Sequence, residues 1–315
     1  MIFGFSTQRF FPTRRIIFAL GALKSSQRRF KSIMPVDLTD KDVTLTYEGA
    51  TTKILLHGAN ILTWTIDGKD QLWLSDGAIL DGSKSVRGGV PLVFPVFGKA
   101  TTGVCAALPQ HGFARLSDWE FLGQTTASPL TVQFGLGPEN VPDEFTDIWS
   151  FDFTLIYTVT LDKTSLTSAL TITNPGPVAW DFQTLFHTYF KIPNVDVVSV
   201  TGLGGVTVKD KAAKSEYSAK EADVTIACEV DRVYENVSKP VDIVSSGTKI
   251  FEIERYGLDD VVVWNPWTAC TKMADFKPVD AYKSMICVEA GSVSKWTTVQ
   301  PGESTTVKET LKALL

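Results

Sequence analysis

From residue 36 onward the chain alternates apolar and polar residues with period two, and no 12-residue stretch shows the 3.6-residue period of a helix. Period two sends successive side chains to opposite faces of a strand, so one face is buried and the other wetted. Asp42–Tyr47, Ile61–Ile66, Phe151–Leu161 and Leu166–Thr173 carry the pattern most clearly. Shorter runs predict strands at Ile54–Leu56, Gln71–Leu74, Trp180–Phe190, Val195–Val200, Lys249–Arg255, Asp260–Trp264, Met285–Glu289 and Trp296–Val299. Asp67-Gly68 predicts a tight hairpin, and Asn174-Pro175-Gly176-Pro177 ends the strand before it. Lys308–Leu315 alone admits a short helix. Many short strands punctuated by Gly, Pro, Asn and Asp predict an all-β antiparallel sandwich or barrel rather than βαβ units. No linker or repeat divides residues 36–315, so one large domain is expected.

Composition narrows the function. A 315-residue chain with 44% hydrophobic residues buries a substantial core. Its net charge of −5 gives nucleic acid nothing global to bind. Neither a GxxxxGK[ST] loop nor a GxGxxG turn is present. Four cysteines without a CxxC pair, and only three histidines, argue against a structural zinc site and for free thiols in a reducing compartment. Residues 1–33 differ in kind: Arg9, Arg14, Arg15, Lys24, Arg28, Arg29 and Lys31 occur with no acid before Asp37. Three readings stand for this segment: a mitochondrial transit peptide, a secretory signal, or an extension upstream of a working start at Met34. Its apolar stretch Ile16–Leu23 falls short of the about 20 residues that span a bilayer. Residues 1–33 are therefore expected to lie outside the fold and 34–315 to form a single domain. The protein is expected in the cytoplasm, or in mitochondria if the basic segment targets it there.

Parity separates core from site. Within Trp180–Phe190, Phe182, Phe186 and Phe190 face one way, with Thr184 and Thr188 between them. Asp181, Gln183, Leu185, His187 and Tyr189 face the other, which reads as a groove lining against the plainer alternative of a half-buried core histidine. Arg87 lies in a Gly- and Pro-rich phrase, Val86-Arg87-Gly88-Gly89-Val90-Pro91-Leu92-Val93-Phe94-Pro95-Val96-Phe97-Gly98, whose glycines permit close approach to a ligand; a tight turn with a solvated Arg is the alternative. Leu108-Pro109-Gln110-His111-Gly112-Phe113-Ala114-Arg115 repeats that combination. Glu289 ends an apolar strand, where partial desolvation would raise its pKa, unless it simply meets water. His57 has no such company and is assigned to a turn or sheet edge. A His and a strand-end Glu with Arg and Gln nearby suit proton transfer, and no GxSxG elbow competes.

Taken in order, the phrases Arg87–Gly98, Gln110–Arg115, Leu185–Phe190, Val230–Tyr234, Trp264–Trp267 and Cys287–Gly291 resemble those of the glucose-6-phosphate 1-epimerases, a branch of the aldose 1-epimerase superfamily. The resemblance runs from about residue 36 to the C-terminus. It implies a large antiparallel β supersandwich of the galactose mutarotase-like kind, with its site in a concave groove and no metal or other cofactor. It implies His187 and Glu289 as the catalytic pair, and Arg87, Gln110, Arg115 and Asp231 as substrate-binding positions, with His111 beside them. Asp231 rests on the resemblance alone. Trp264 and Trp267 are either groove wall or structural. The implied partner is a small hexose 6-phosphate, with no nucleic acid and no membrane. The other readings are a non-catalytic sugar-phosphate binder, a mutarotase for unphosphorylated aldoses, and a glycosidase or lyase on a related scaffold.

Overall fold

The computed structural model describes residues 35–220 and 223–314, and the expectations about residues 1–33 fall outside them. The described residues form three sheets of five, nine and eight strands, and their strands pair antiparallel throughout. The five-stranded sheet is a meander in chain order from Val36–Leu38 to Lys69–Asp70. Asp67 and Gly68 both adopt positive φ (48° and 77°) at its last turn, the backbone an Asp-Gly hairpin requires. The alternation read in the sequence becomes sidedness. In Ser165–Thr173, Leu166, Leu170 and Ile172 are buried, while Thr167 and Thr171 pair hydroxyl to hydroxyl with Thr310 and Thr306 on the outer face, each at 2.9 Å.

The nine- and eight-stranded sheets face each other across the core. Tyr157 stacks on Phe186 at 6.3 Å, and Phe190 meets Phe251 at 4.8 Å, one ring from each sheet in both pairs. The Phe182, Phe186 and Phe190 stripe is fully buried there, as its parity predicts. Three expectations are corrected. Residues 308–313 belong to the strand Ser304–Ala313, not a helix, because Val307, Glu309, Leu311 and Ala313 alternate inward between two neighbouring strands. Gln71–Leu74 forms no strand either; Leu72 and Leu74 make single bridges to Phe190 and Gly88, tying the meander to the site's own segments. Val195–Val197 is a 3₁₀ turn capped by the Asn194 side chain, and the strand begins at Val198.

Candidate active site

Strand register sets up the centre of the site. The strand Trp180–Phe186 continues, after a break, as Tyr189–Lys191, and both pair with the long strand Met285–Val299. Leu185 is opposite Gly291 and Tyr189 is opposite Cys287, so His187 in the break lies across from Glu289. Its Nδ1 is 3.4 Å from Glu289 Oε1. The imidazole stacks nearly parallel on Tyr189 (4.7 Å, 9°) and takes ring edges from His111 (5.9 Å) and Trp264 (6.0 Å), which fixes its plane. Beyond Glu289, the strands Asp260–Asn265 and Val230–Tyr234 extend the sheet and bring in Trp264 and Asp231.

The two glycine-rich phrases supply the opposite wall. Gly89 and Gly112 serve backbone packing, while Gly98 lines the cavity with open space beside it. A Cβ on Gly89 (φ 69°) would sit 1.9 Å from the Ile61 carbonyl oxygen, and one on Gly112 (φ 72°) 2.1 Å from that of Phe94. Only glycine lets these chains nest so closely. That nesting carries Arg87, Gln110, His111 and Arg115 to one place. All seven residues singled out in the sequence (His187, Glu289, Arg87, Gln110, His111, Arg115 and Asp231) line a single cavity of about 280 Å³. Trp264 lines it too, whereas Trp267 packs on Tyr282 outside it. Asp181 is exposed away from the cavity and Leu185 is buried beneath it, so the groove face of that strand begins only at His187. His57 makes an isolated bridge to Asp118 and bonds its carboxylate at 2.8 Å, a sheet-edge role.

Two further groups, Lys211 and Asp275, were not visible in the sequence, and Tyr189 joins them from the groove face read there. Lys211 lines the cavity with its Nζ 3.9 Å over the Phe97 ring. Asp275 holds the Arg87 guanidinium through Nε and Nη2, both at 3.3 Å. Tyr189 accepts from Arg87 Nη1 at 3.3 Å. Neither Lys211 nor Asp275 sits in a motif: Lys211 lies in the polar run Lys209-Asp210-Lys211, which reads as a solvated turn.

The cavity's electrostatics follow from burial. Glu289 is almost wholly buried, and its carboxyl is pushed well above the usual carboxylate range by desolvation and then by Asp231. Burial, reinforced by the positive charges of Arg115 and Arg87, pushes His187 well below 6.5. The free site therefore favours a neutral imidazole beside a protonated carboxyl, not the charged imidazole its ordinary pKa would suggest. His111 is also held neutral, by burial and Arg115; its Nδ1 accepts the Gly98 amide at 3.2 Å, and its Nε2 lies 3.2 Å from the Gln110 side-chain amide. Arg115 is half-buried, and burial lowers it to about 10. It donates to the Gln110 carbonyl at 2.7 Å, its Nε has no partner, and among the described residues no carboxylate pairs with it. His187, Cys287 and Glu289 are the grouping of metal-ligand donors among the described residues, their donor atoms within 4.8 Å of one another. Burial holds the Cys287 thiol well above 9, so binding a metal there would first cost its proton.

Residues 41–312 match the model of the family described as aldose 1-epimerase. A protein of Cenchrus ciliaris provisionally named glucose-6-phosphate 1-epimerase is 34% identical over 264 residues, covering 80% of this chain and 78% of its own. One from Escherichia coli K12 with the same provisional name is 30% identical over 246 residues, covering 76% and 79%. Among solved structures, a provisionally described mutarotase from Salmonella typhimurium superposes with a TM-score of 0.78 at 24% identity, over 90% of this chain and 95% of its own. The galactose 1-epimerase of Lactobacillus acidophilus NCFM gives 0.62 at 14% identity, over 86% and 93%. The antiparallel supersandwich is thus shared with solved mutarotases, and the chain belongs to the aldose 1-epimerase family.

Proposed function

We propose that the protein interconverts the α and β anomers of a hexose 6-phosphate, glucose 6-phosphate foremost. The observation that carries this reading is Arg115, a cation with a buried Nε and no carboxylate partner, in the cavity that holds His187 and Glu289. A desolvated cation without a counter-ion is costly unless a ligand supplies the anion. Arg87 and Lys211 line the same cavity, so three cations converge on a space of small-sugar size. A phosphoryl group answers that charge, and planar guanidinium forks bind it well. The provisional names of the two relatives agree with the choice.

Anomerisation opens the hemiacetal, rotates the C1 aldehyde and closes the ring on the other face. Opening requires the O1 hydroxyl to lose a proton and the ring oxygen to gain one. In this reading Glu289 takes the O1 proton and His187 gives one to the ring oxygen, and closure runs the transfers backward. A pair holding one mobile proton can do this without net change. The phosphate has a second part. Arg115, Arg87 and Lys211 are the charges that disfavour a protonated His187. A bound dianion offsets them, letting the proton pass from Glu289 to His187 as substrate arrives. Gln110, His111 and Asp231 are assigned to the sugar hydroxyls. With its four cysteines free, we place the protein in a reducing compartment, the cytoplasm.

Anomer-resolved NMR exchange with glucose 6-phosphate and with glucose tests the reading. A kcat/KM about ten- to a hundredfold higher for the phosphorylated sugar is expected, since a charged contact of about 1.5–3 kcal/mol is at stake. Equal rates on both sugars would make the enzyme a general aldose mutarotase. Tight binding without exchange would make it a sugar-phosphate binder.

A further inference from the structure

Glu309 is a carboxylate with no solvent exposure, on the strand Ser304–Ala313 of the nine-stranded sheet, where a hydrophobic residue would satisfy the core. Its Oε1 accepts from the Thr188 hydroxyl at 2.9 Å, across the interior of the sandwich. Thr188 is likewise unexposed. It sits in the break between Trp180–Phe186 and Tyr189–Lys191, where its amide donates to the Phe186 carbonyl at 2.9 Å. That two-residue closure is a γ-turn with His187 at its centre, a conformation a regular strand would not hold unaided. On the other side, the Ala290 amide, next in chain after Glu289, also favours the Glu309 anion. One buried carboxylate thus bonds the neighbour of His187, and the amide of the neighbour of Glu289 favours its charge.

We propose that Glu309 is a positioning residue for the proton-transfer pair, pinning the His187 turn from inside the sandwich and setting its distance to Glu289. The inference rests on the roles given above to His187 and Glu289. Glu309 touches no substrate; it acts through Thr188 and Ala290. The groups facing it are known on each side. Tyr157, bonded to Ser168, and Arg255 face it from the nine-stranded sheet, and Thr188 and Glu289 from the eight-stranded one. Arg255 is engaged by the Val237 and Lys239 carbonyls, each at 2.9 Å, and makes no ion pair to Glu309 within 4.0 Å. Glu309 Oε2 has no partner, and burial raises the carboxyl to about 8. Ionisation there places a second negative charge behind Glu289.

The test compares Thr188→Val, Glu309→Leu and Glu309→Gln in the full chain, each scored against wild type on whichever sugar wild type turns over. A wild type that anomerises no sugar defeats the functional reading; the variants speak only to Glu309. Thr188→Val keeps the shape and removes the hydroxyl, so kcat should fall about ten- to a hundredfold with KM within about twofold, as expected for a misplaced reacting group. Glu309→Leu should lose as much, and the double variant should lose no more than either single one, because both remove the same bond. Glu309→Gln keeps an acceptor and should recover most of what Glu309→Leu loses, while erasing an inflection near pH 8 in the wild-type rate profile. A purely structural role would lower the melting temperature and leave kcat alone. Wild-type kcat and pH profile in Thr188→Val overturns the proposal, even if Glu309→Leu fails to fold.

Discussion

At the scale of single residues, the site concentrates groups that the protein alone does not satisfy. His187 Nδ1 and Glu289 Oε2 are buried without hydrogen-bond partners, as is Arg115 Nε. Buried polar groups are normally bonded, so three such atoms at one cavity mark where a substrate's hydroxyls and anion belong. Glu289→Gln and His187→Ala should each lower kcat about 10²–10⁴-fold with the fold intact, checked by anomer exchange and circular dichroism. Near wild-type kcat in either variant would remove it from the proton-transfer pair. Arg87 and Arg115 should differ in a telling way. Arg87 is clamped by Asp275 and Tyr189, so Arg87→Ala leaves a half-buried carboxylate unpaired and should cost stability as well as raising KM for glucose 6-phosphate. Arg115 has no counter-ion to orphan. Arg115→Met should raise KM for glucose 6-phosphate about ten- to a hundredfold, leave KM for glucose nearly unchanged, and raise Tm in the free enzyme. A fall in Tm with equal losses on both sugars would mean that Arg115 only ties its own loop.

At the scale of elements, register does the assembling, and this decides what a reader of the sequence can see. His187 was legible because period two separates a groove face from an aromatic face without knowledge of the partner strand; Glu289 was read as ending an apolar strand, whereas it lies within the strand Met285–Val299 and owes its desolvation to burial there. Their pairing was not legible, since it depends on how Leu185 meets Gly291 and Tyr189 meets Cys287. Lys211 and Asp275 were invisible for the same reason: each lies in a polar stretch, and only strand order brings it to the cavity. Residues 308–315 misled because Val307 and Leu311 are four apart, a helical spacing, while the inward residue between them is charged. That residue is Glu309, so the local rule failed where the core holds a polar group for a purpose. Its burial also predicts how stability responds to pH. The carboxyl is raised from 4.5 to about 8, so the folded chain keeps a proton that the unfolded chain loses. Its stabilisation is complete below about pH 4.5 and is lost as pH rises through about 8. Glu309→Gln mimics the protonated acid and should flatten that decline in denaturant titrations between pH 5 and 9. An unchanged slope would mean that the carboxylate is ionised in the fold at neutral pH.

At the scale of the whole molecule, where the folded unit begins and how its charge is arranged govern the approach of an anionic substrate. No helix among the described residues is long and apolar enough to cross a membrane. The family match starts at residue 41, the first strand at Val36, and the cavity draws its lining from residues between Ser85 and Glu289. The described part of that machinery lies wholly within residues 36–314. We therefore expect a chain beginning at Met34 to fold with the same Tm and to turn over glucose 6-phosphate with the same kcat. KM is the more discriminating quantity. Removing seven basic residues makes an already acidic protein more so, and a dianion approaching it meets greater long-range repulsion. At about 0.15 M salt the Debye length is about 8 Å, which screens distant charge but not cations that touch the phosphate. The shortened chain should match the full chain in KM at physiological salt and show a higher KM only at low ionic strength. Arg87 and Arg115 would then account for recognition, with the basic segment adding only a screened field. A chain from Met34 that lost solubility, or whose KM rose at every salt concentration, would instead make residues 1–33 part of the domain.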